Sequence, residues 1–134
     1  MKSSNLEKLI NSATLAYENA YAPYSRFRVG AAVLDENGNI HTGCNVENAA
    51  YPSGSCAEEQ AIGNMVVNGG KVIKEIAIIG KSKELITPCG ACRQRIRELC
   101  DKDVKVHICD IDNGLRKTFT IQELLPKSFG PENL

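Results

Sequence analysis

Two stretches of sequence, Cys56-Ala57-Glu58 and Pro88-Cys89-Gly90-Ala91-Cys92, decide how this chain folds and what it can bind. Together they supply three cysteines and one glutamate. Three protein ligands with an open fourth position are typical of a catalytic zinc, whereas a structural zinc is closed by four ligands. We therefore predict a zinc site at Cys56, Cys89 and Cys92, with Glu58 beside it as the group that transfers protons.

The segments around these stretches alternate between helix and strand. Apolar residues at spacings of three and four predict a helix over residues 5–21, which Pro23 ends. The pair Asn37-Gly38 predicts a hairpin between strands at 27–34 and 39–45. The later elements are a helix at 56–67 capped by Ser55, a strand at 74–80, a helix at 90–99, strands at 104–109 and 116–120, and a helical turn at 121–125. This order predicts an α/β fold, a three-layer α/β/α sandwich with a mixed five-stranded sheet.

Two features near the hairpin bear on packing and function. Gly30 and the two alanines after it leave little side-chain bulk, so we expect another element to pack closely there. The loop at 45–55 is rich in polar and small residues. Such loops on a rigid scaffold often carry function, so this loop is a candidate part of the site.

Composition limits the class of protein. A chain of 134 residues predicts a single domain over residues 1–134. Equal numbers of basic and acidic residues, 16 of each, give zero net charge, which argues against a nucleic-acid partner. No apolar run is long enough to span a membrane, and the N-terminus lacks an apolar secretion signal. We therefore predict a cytoplasmic protein without a membrane partner.

The six cysteines, without a secretion signal, indicate free thiols or metal ligands rather than disulfides. Cys44, Cys100 and Cys109 have no close partner in sequence, and we expect them to be small buried apolar residues. One of them could instead be a fourth ligand that closes a structural zinc site. The two histidines, His41 and His107, are predicted to be ordinary surface or strand residues without a catalytic role.

A zinc site with three thiolates raises a question of charge balance. Helix N-termini favour anions, and the predicted helices place all three cysteines near such ends. Three thiolates nevertheless donate much charge to the metal, which opposes the acidification of water that catalysis requires. We expect a nearby cation such as Arg93 to compensate, whereas Arg95 and Arg97 are predicted to lie on a solvated helix face.

The motif residues, and much of the sequence beyond them, closely resemble the cytidine deaminase family in its small, homotetrameric form. The resemblance covers nearly the whole chain and rests on residues 21–32, 43–51, 56–58, 88–94, 123–126 and Phe129. It implies a zinc-dependent hydrolase of pyrimidine salvage, with one Zn²⁺ per chain. The implied reaction converts cytidine and 2′-deoxycytidine to uridine and 2′-deoxyuridine with release of ammonia. Water activated by the zinc attacks C4 of the base, and Glu58 shuttles the protons.

The resemblance also implies which residues bind the nucleoside. Phe27 would stack on the pyrimidine ring. Asn45 and Glu47 would hydrogen-bond the ribose 3′-hydroxyl. Glu58 would also bond the base, and the backbone of Ala57 and Thr87 would contact its polar edge.

The family's assembly is implied in the same way. Family members form tetramers whose active sites are built where subunits meet. In this chain Tyr51 and Phe129 would reach into a neighbouring subunit's site, with Phe129 closing over the base. The expected partners are therefore a small nucleoside and further copies of this chain in a homotetramer.

One residue departs from the family pattern. Family members commonly carry an arginine directly after Cys-Ala-Glu, where it helps to neutralise the thiolates, and this chain has Glu59 there. Glu59 adds negative charge near the thiolates, so it is expected to tune the charge of the site. Arg93 is the candidate for the cation that compensates this negative charge. The alternatives are a deaminase of another cytosine nucleoside such as blasticidin S, a polynucleotide deaminase, or a zinc-stabilised binding module with weakened catalysis.

Overall fold

The computed structural model describes residues 2–134, with side chains from residue 5 onward, so Met1 of the predicted 1–134 domain lies outside it. Within this range the strands are β1 (Val29–Asp35), β2 (Ile40–Cys44), β3 (Ile73–Gly80), β4 (Lys105–Asp110) and β5 (Gly114–Thr120). The α-helices are α1 (Lys2–Glu18), α2 (Ala57–Val67), α3 (Gly90–Glu98) and α4 (Ile121–Leu124). Every predicted element is present, with its bounds shifted by a few residues.

The five strands form one mixed sheet, as the sequence predicts, in the order β2-β1-β3-β4-β5. β1 pairs antiparallel with both β2 and β3, β3 pairs parallel with β4, and β5 returns antiparallel along β4. A parallel pair needs a crossover connection, and here the crossover contains α3. Residues Pro88–Cys92 belong to this connection, which follows β3 and leads into the first turn of α3.

Helices cover both faces of the sheet, which gives the three predicted layers. Side chains alternate along a strand, so Ala31 and Val33 of β1 face one layer and Ala32 faces the other. Helices α2, α3 and α4 pack on the first face through residues that include Ala61, Met65, Ile96 and Ile121. Helix α1 packs on the second face through Leu9 and Ala13. Within residues 2–134, no helix combines the length and the apolar character needed to cross a membrane.

Two glycines let helices lie directly on the backbone of the sheet. A Cβ atom at Gly30 would lie 2.1 Å from the carbonyl oxygen of Ala13 in α1, which confirms the predicted close approach. A Cβ atom at Gly43 would lie 2.4 Å from the amide nitrogen of Ala61 in α2. The absence of a side chain at Gly43 therefore lets α2, which begins after Cys56, settle against β2.

At two of the shifted element ends, tertiary pairing explains the difference from the prediction. Helix α1 ends at residue 18 rather than 21, because the Tyr21 backbone leaves the helix and donates to the Asn45 carbonyl oxygen at 3.0 Å. The predicted cap of α2, Ser55, has its backbone paired with Val46. The chain turns into the helix one residue later, and Cys56 is the N-cap. Helix α2 thus begins at a predicted zinc ligand.

The two histidines lie in strands, as predicted, but both are buried rather than at the surface. His41 of β2 lies 2.8 Å from a carboxylate oxygen of Asp35. His107 of β4 lies 2.7 Å from a carboxylate oxygen of Glu75 and 2.8 Å from the Thr118 hydroxyl. Buried imidazoles need such partners, so these pairs serve the packing of the sheet.

Candidate active site

Both predicted metal-binding stretches lie at the start of a helix. Cys56 is the N-cap of α2 and Cys89 is the N-cap of α3, each with extended backbone. Cys92 follows in the first turn of α3. The three sulfur atoms lie within 4.8 Å of one another. Free N–H groups and the positive end of the helix dipole at each helix start favour thiolates at this point.

The cysteine cluster fits a zinc ion. Tetrahedral zinc holds sulfur at about 2.3 Å, which places neighbouring sulfurs roughly 3.8 Å apart. This separation lies inside the 4.8 Å limit on the distances between the three sulfurs. In the part of the chain that the structure describes, the cluster contains these three residues, so Cys44, Cys100 and Cys109 do not supply a fourth ligand. Cys109 is buried as predicted, whereas Cys44 and Cys100 are partly exposed. The cluster is therefore of the three-ligand kind that leaves a position open.

Before a metal binds, the three thiols differ in acidity. Burial raises the pKa of Cys56 and of Cys92. The pKa of Cys89 is lowered, chiefly because its sulfur accepts a hydrogen bond from the backbone N–H of Cys92. Cys89 is also exposed, whereas Cys92 is buried. Cys89 is therefore the thiol best prepared to meet a metal ion as a thiolate.

Glu58 lies beside the cluster in the first turn of α2. The residue is only 5% exposed. Burial raises the pKa of its carboxyl group, because the charged form loses hydration. A raised pKa makes a carboxylate a stronger base, which helps it to accept a proton and then pass it on. Its position and its acidity therefore suit a proton shuttle.

A cleft of about 700 Å³ opens onto Glu58 and the cysteine cluster, and a small organic molecule of nucleoside size fits that volume. The predicted site residues that line it are Phe27, Asn45, Glu47, Tyr51, Cys56, Ala57, Glu58, Thr87 and Cys89. The predicted residues outside the lining are Cys92, Glu59, Arg93 and Phe129. The cleft also has apolar lining residues that were not predicted from the sequence, and these are Val29, Ile78 and Ile86. The fold thus gathers segments from four parts of the chain around one cavity.

Asn45 fixes the residue predicted to stack on the base. Its side-chain Nδ2 donates to the Phe27 carbonyl oxygen at 2.8 Å, and its Oδ1 accepts from the Val29 amide at 2.9 Å. An amide has two hydrogens and two acceptor lone pairs, so each polar atom of Asn45 keeps one position for a ligand. Asn45 can therefore brace the start of β1 and bind a hydroxyl group at the same time.

Glu47 is anchored by the turn that precedes Phe27. Its Oε1 accepts the backbone N–H groups of Tyr24 and Ser25 at 3.0 and 3.1 Å, and the Ser25 hydroxyl donates to Oε2. The Ser25 hydroxyl is the main cause of a lowered pKa for the Glu47 carboxyl group. Glu47 is therefore a fixed carboxylate that can accept a hydrogen bond from a ligand hydroxyl. The sequence did not predict that Tyr24 and Ser25 anchor Glu47, because Glu47 lies 22 residues beyond Ser25 in sequence.

Arg93 braces the loop before α3. Its Nε donates to the Pro88 carbonyl oxygen at 2.7 Å, its Nη2 to the Thr87 hydroxyl at 2.6 Å, and its Nη1 to the Leu124 carbonyl oxygen at 2.7 Å. These bonds fix the loop that leads into Cys89. Arg93 was predicted to be the cation that balances the thiolates, and its side-chain hydrogen bonds go to oxygen atoms.

The arginine that contacts a predicted zinc ligand is Arg95. Its Nη1 lies 3.5 Å from the Cys92 sulfur, and its Nη2 lies 3.7 Å from a carboxylate oxygen of Glu59. The Arg95 side chain is still 39% exposed, so it is partly solvated as predicted, and its contact with Cys92 is an addition to that prediction. Sequence spacing could have indicated the contact, because residues three apart in a helix lie on the same side.

Arg97, unlike Arg95, is buried, because the C-terminal tail folds back over α3. Its Nε donates to the Ser128 hydroxyl at 2.9 Å, and its guanidinium pairs with Glu132. Gln94 donates to the Phe129 carbonyl oxygen at 2.9 Å. The solvated-face prediction is therefore wrong for Arg97, and the tail is tied to the helix whose N-cap is Cys89.

Comparisons with known proteins agree on one family. A family model for the cytidine and deoxycytidylate deaminase zinc-binding region matches residues 3–108. The cytidine deaminase of Sporosarcina psychrophila is 42% identical over 130 residues, 97% of this chain and 95% of that protein. The cytidine deaminase of Halalkalibacterium halodurans is 41% identical over 128 residues, 96% of each protein. A crystal structure of cytidine deaminase from Burkholderia pseudomallei matches with a TM-score of 0.85 and 39% identity, over 92% of this chain and 98% of that chain.

These matches include the residues that form the site. The family match contains all three cysteines of the cluster and Glu58. The structural match extends over the sheet and the helices that position them. The matched region is a zinc-binding region, and the three sulfurs lie close enough together to share one metal ion. This chain therefore belongs to the cytidine and deoxycytidylate deaminase family.

Proposed function

We propose that this protein catalyses the hydrolytic deamination of cytidine and 2′-deoxycytidine to uridine and 2′-deoxyuridine, with release of ammonia, as a step of pyrimidine salvage. The observation that carries the proposal is the single cleft that joins buried Glu58, the cysteine cluster and the loop at 45–47. Relatives named cytidine deaminase, which match nearly the whole chain, support this choice of substrate.

Glu58 performs the proton transfers of this reaction. Cys56, Cys89 and Cys92 would hold the zinc, which would act as a Lewis acid and make water reactive at neutral pH. The oxygen of the attacking water adds to C4 of the cytosine ring while Glu58 takes one proton from that water. Glu58 then passes the proton to ring N3. The second proton of the water reaches the C4 amino group through Glu58, and the C–N bond breaks to release ammonia. Burial of Glu58 keeps these protons from exchanging with bulk water.

The cleft offers a place for each part of the nucleoside. The pyrimidine ring stacks on Phe27, and its polar edge meets the backbone of Ala57 and Thr87. The ribose 3′-hydroxyl reaches Asn45 and Glu47. The free hydrogen-bonding positions of the Asn45 amide and the fixed carboxylate of Glu47 support this placement.

The proposal includes a homotetramer with shared active sites. The Phe129 side chain is 58% exposed although its backbone is held by Gln94, and it does not line the cleft of its own chain. Tyr51 lines the cleft and is 76% exposed. Large aromatic side chains that are exposed at fixed positions suit contact with another copy of the chain.

The same proposal covers the domain organisation and the location of the enzyme. Residues 1–134 form one catalytic domain, which acts on free nucleosides in the cytoplasm. The six cysteines are free thiols, which suits a reducing compartment. Zero net charge speaks against a polynucleotide substrate. Glu59 motivated the alternatives of blasticidin S deamination and of a non-catalytic zinc module. Its pairing with Arg95 weakens that motivation, because its charge is not left unbalanced.

The deciding experiment follows the loss of cytidine absorbance and the release of ammonia by the zinc-loaded protein. We expect turnover of cytidine and 2′-deoxycytidine, and a fall in kcat of about 10²- to 10⁴-fold for Glu58→Gln with its zinc content unchanged. Glu7→Gln, which changes an exposed glutamate of α1, is the matched control and should keep full activity. No turnover of either nucleoside by the wild type would overturn the proposal, and faster turnover of blasticidin S would favour that substrate instead.

A further inference from the structure

The cysteine cluster carries more negative charge than a divalent metal can balance. Three thiolates exceed the charge of one Zn²⁺ by one unit, and Glu58 adds a second negative charge whenever it is ionised. Excess charge on sulfur weakens the Lewis acidity of the metal and raises the pKa of the water that must react. A cation close to the sulfurs would oppose both effects.

Arg95 is placed to act as that cation. Its Nη1 lies 3.5 Å from the Cys92 sulfur, a charge-assisted contact with a buried ligand. Arg93, two residues earlier, has its Nε, Nη1 and Nη2 committed to two carbonyl oxygens and a hydroxyl. Arg97 is turned toward Ser128 and Glu132 of the tail. Of the three arginines of α3, Arg95 is thus the one whose hydrogen bond goes to a sulfur.

Glu59 determines where the Arg95 guanidinium lies. The two side chains are 42% and 39% exposed, and a free arginine side chain at that exposure would sample many rotamers. One oxygen of Glu59 accepts the Cys56 backbone N–H at 3.4 Å, and the other lies 3.7 Å from Nη2 of Arg95. Glu59 is therefore tied to the start of α2 on one side and holds the guanidinium on the other.

We propose that Arg95 offsets the excess negative charge of the metal-bound thiolates through Cys92, and that Glu59 is the positioning residue that keeps it there. The pair connects the two helices that carry the zinc ligands. The positive end of the pair faces the sulfur, so the glutamate does not act as a further uncompensated charge. The effect on turnover rests on the proposed deaminase function, whereas the effect on the metal–sulfur bond does not.

Cobalt(II) in place of zinc tests the charge on sulfur directly, because its sulfur-to-metal charge-transfer absorption moves to longer wavelength as the thiolate becomes a stronger donor. We expect this shift in Arg95→Gln, a smaller shift in Arg95→Lys, and a shift in the same direction in Glu59→Gln. Lys105→Gln is the matched control, because it removes an exposed positive charge that lies opposite Glu75 in the pairing of β3 with β4. It should leave the charge-transfer band at its wild-type wavelength. An unmoved band in Arg95→Gln overturns the proposal, and a shift to shorter wavelength in Glu59→Gln overturns the positioning role.

A double-mutant cycle on the zinc-loaded protein tests whether the two residues act as a unit. Arg95→Gln should lower kcat about tenfold, the size of one lost charge-assisted hydrogen bond, and adding Glu59→Gln should lower it no further. Fully additive losses would contradict the pairing. Glu59→Arg added to Arg95→Gln should restore most of the activity and the original cobalt band. No recovery would mean that positive charge is not what Arg95 supplies.

The outcomes separate this inference from the proposed function. If the wild type does not deaminate cytidine, the proposed function fails, and the cobalt spectra still decide the role of Arg95. If the wild type deaminates cytidine and the band does not respond to Arg95→Gln, the inference fails while the function stands. Zinc content is measured for every variant, so that loss of metal is not taken for loss of charge compensation.

Discussion

The side-chain amide of Asn45 donates to the carbonyl oxygen of Phe27 over 2.8 Å, so a residue proposed to bind the ribose also sets the position of the residue proposed to stack on the base. The same side chain accepts from the Val29 amide at the start of β1. The ribose and base ends of the cleft are therefore coupled. A change at Asn45 should disturb the binding of both.

We expect Asn45→Ala to lower kcat/KM for cytidine about 100-fold and the free energy of unfolding by about 1–2 kcal/mol, because two part-buried hydrogen bonds and one ligand contact are lost. Steady-state kinetics and urea denaturation measure the two effects. Asn11→Ala, at an exposed site on α1, is the matched control. Binding of free uracil should weaken in Asn45→Ala as well. Unchanged uracil binding would show that Asn45 acts on the ribose alone.

Gly43→Ala should separate α2 from β2 and weaken the zinc site. The added Cβ would lie 2.4 Å from the Ala61 amide nitrogen, so helix and strand must move apart at a cost of about 1–3 kcal/mol. We expect a lower Tm and a lower zinc content, because α2 begins at Cys56. Gly63→Ala is the control on the same helix, since its Cβ would meet nothing within 4 Å, and it should be neutral or stabilising. A Gly43→Ala protein with full stability and full zinc content would contradict the close packing.

Arg97→Met should release the C-terminal tail from α3. The substitution removes the bond to Ser128 and the pair with Glu132, and we expect a loss of about 1–3 kcal/mol in the free energy of unfolding. Trypsin should cleave after Lys127 faster than in the wild type. If Phe129 completes a neighbour's site, KM for cytidine should rise with little change in kcat. Arg28→Met, at an exposed arginine, is the control, and equal cleavage rates in the two variants would contradict the tail attachment.

Asp35 should make stability depend on pH in the acid range. Its buried carboxylate lies 2.8 Å from His41, and this hydrogen bond is the main cause of its lowered pKa. The unfolded chain therefore binds more protons between the two pKa values, so this stabilisation is present above about pH 4 and is lost as the pH falls through the folded pKa.

The difference in unfolding free energy between the wild type and Asp35→Asn should be largest near neutral pH and should shrink as the pH falls below about 4. Urea denaturation at several pH values measures it. Asp103→Asn changes an exposed aspartate and controls for the general loss of a carboxylate. A difference that grows on acidification would have the wrong sign for a lowered pKa.

Local sequence was enough to predict the elements and the heart of the site. The Asn37-Gly38 hairpin, the apolar strand β3 and the two cysteine stretches depend on neighbours in sequence, and all lie where they were predicted. Two of the predictions that are wrong concern residues whose partners lie outside the local segment. Arg97 was assigned to solvent, and its partner Glu132 lies 35 residues further on. Ser55 was assigned to the helix cap, and its backbone is taken by Val46.

The sequence by itself determined the proposed ligand set, the glutamate proposed to transfer protons and the order of helices and strands, because spacing within a turn and alternation within a strand are local properties. The tertiary structure decided how the charge of that site is balanced. Glu59 lies in the first turn of α2, and Arg95 lies on α3. Only the packing of these two helices on the same face of the sheet brings the Glu59 carboxylate and the Arg95 guanidinium to 3.7 Å from each other, beside Cys92. Coulombic interactions depend on distance in space, which the order of residues does not give.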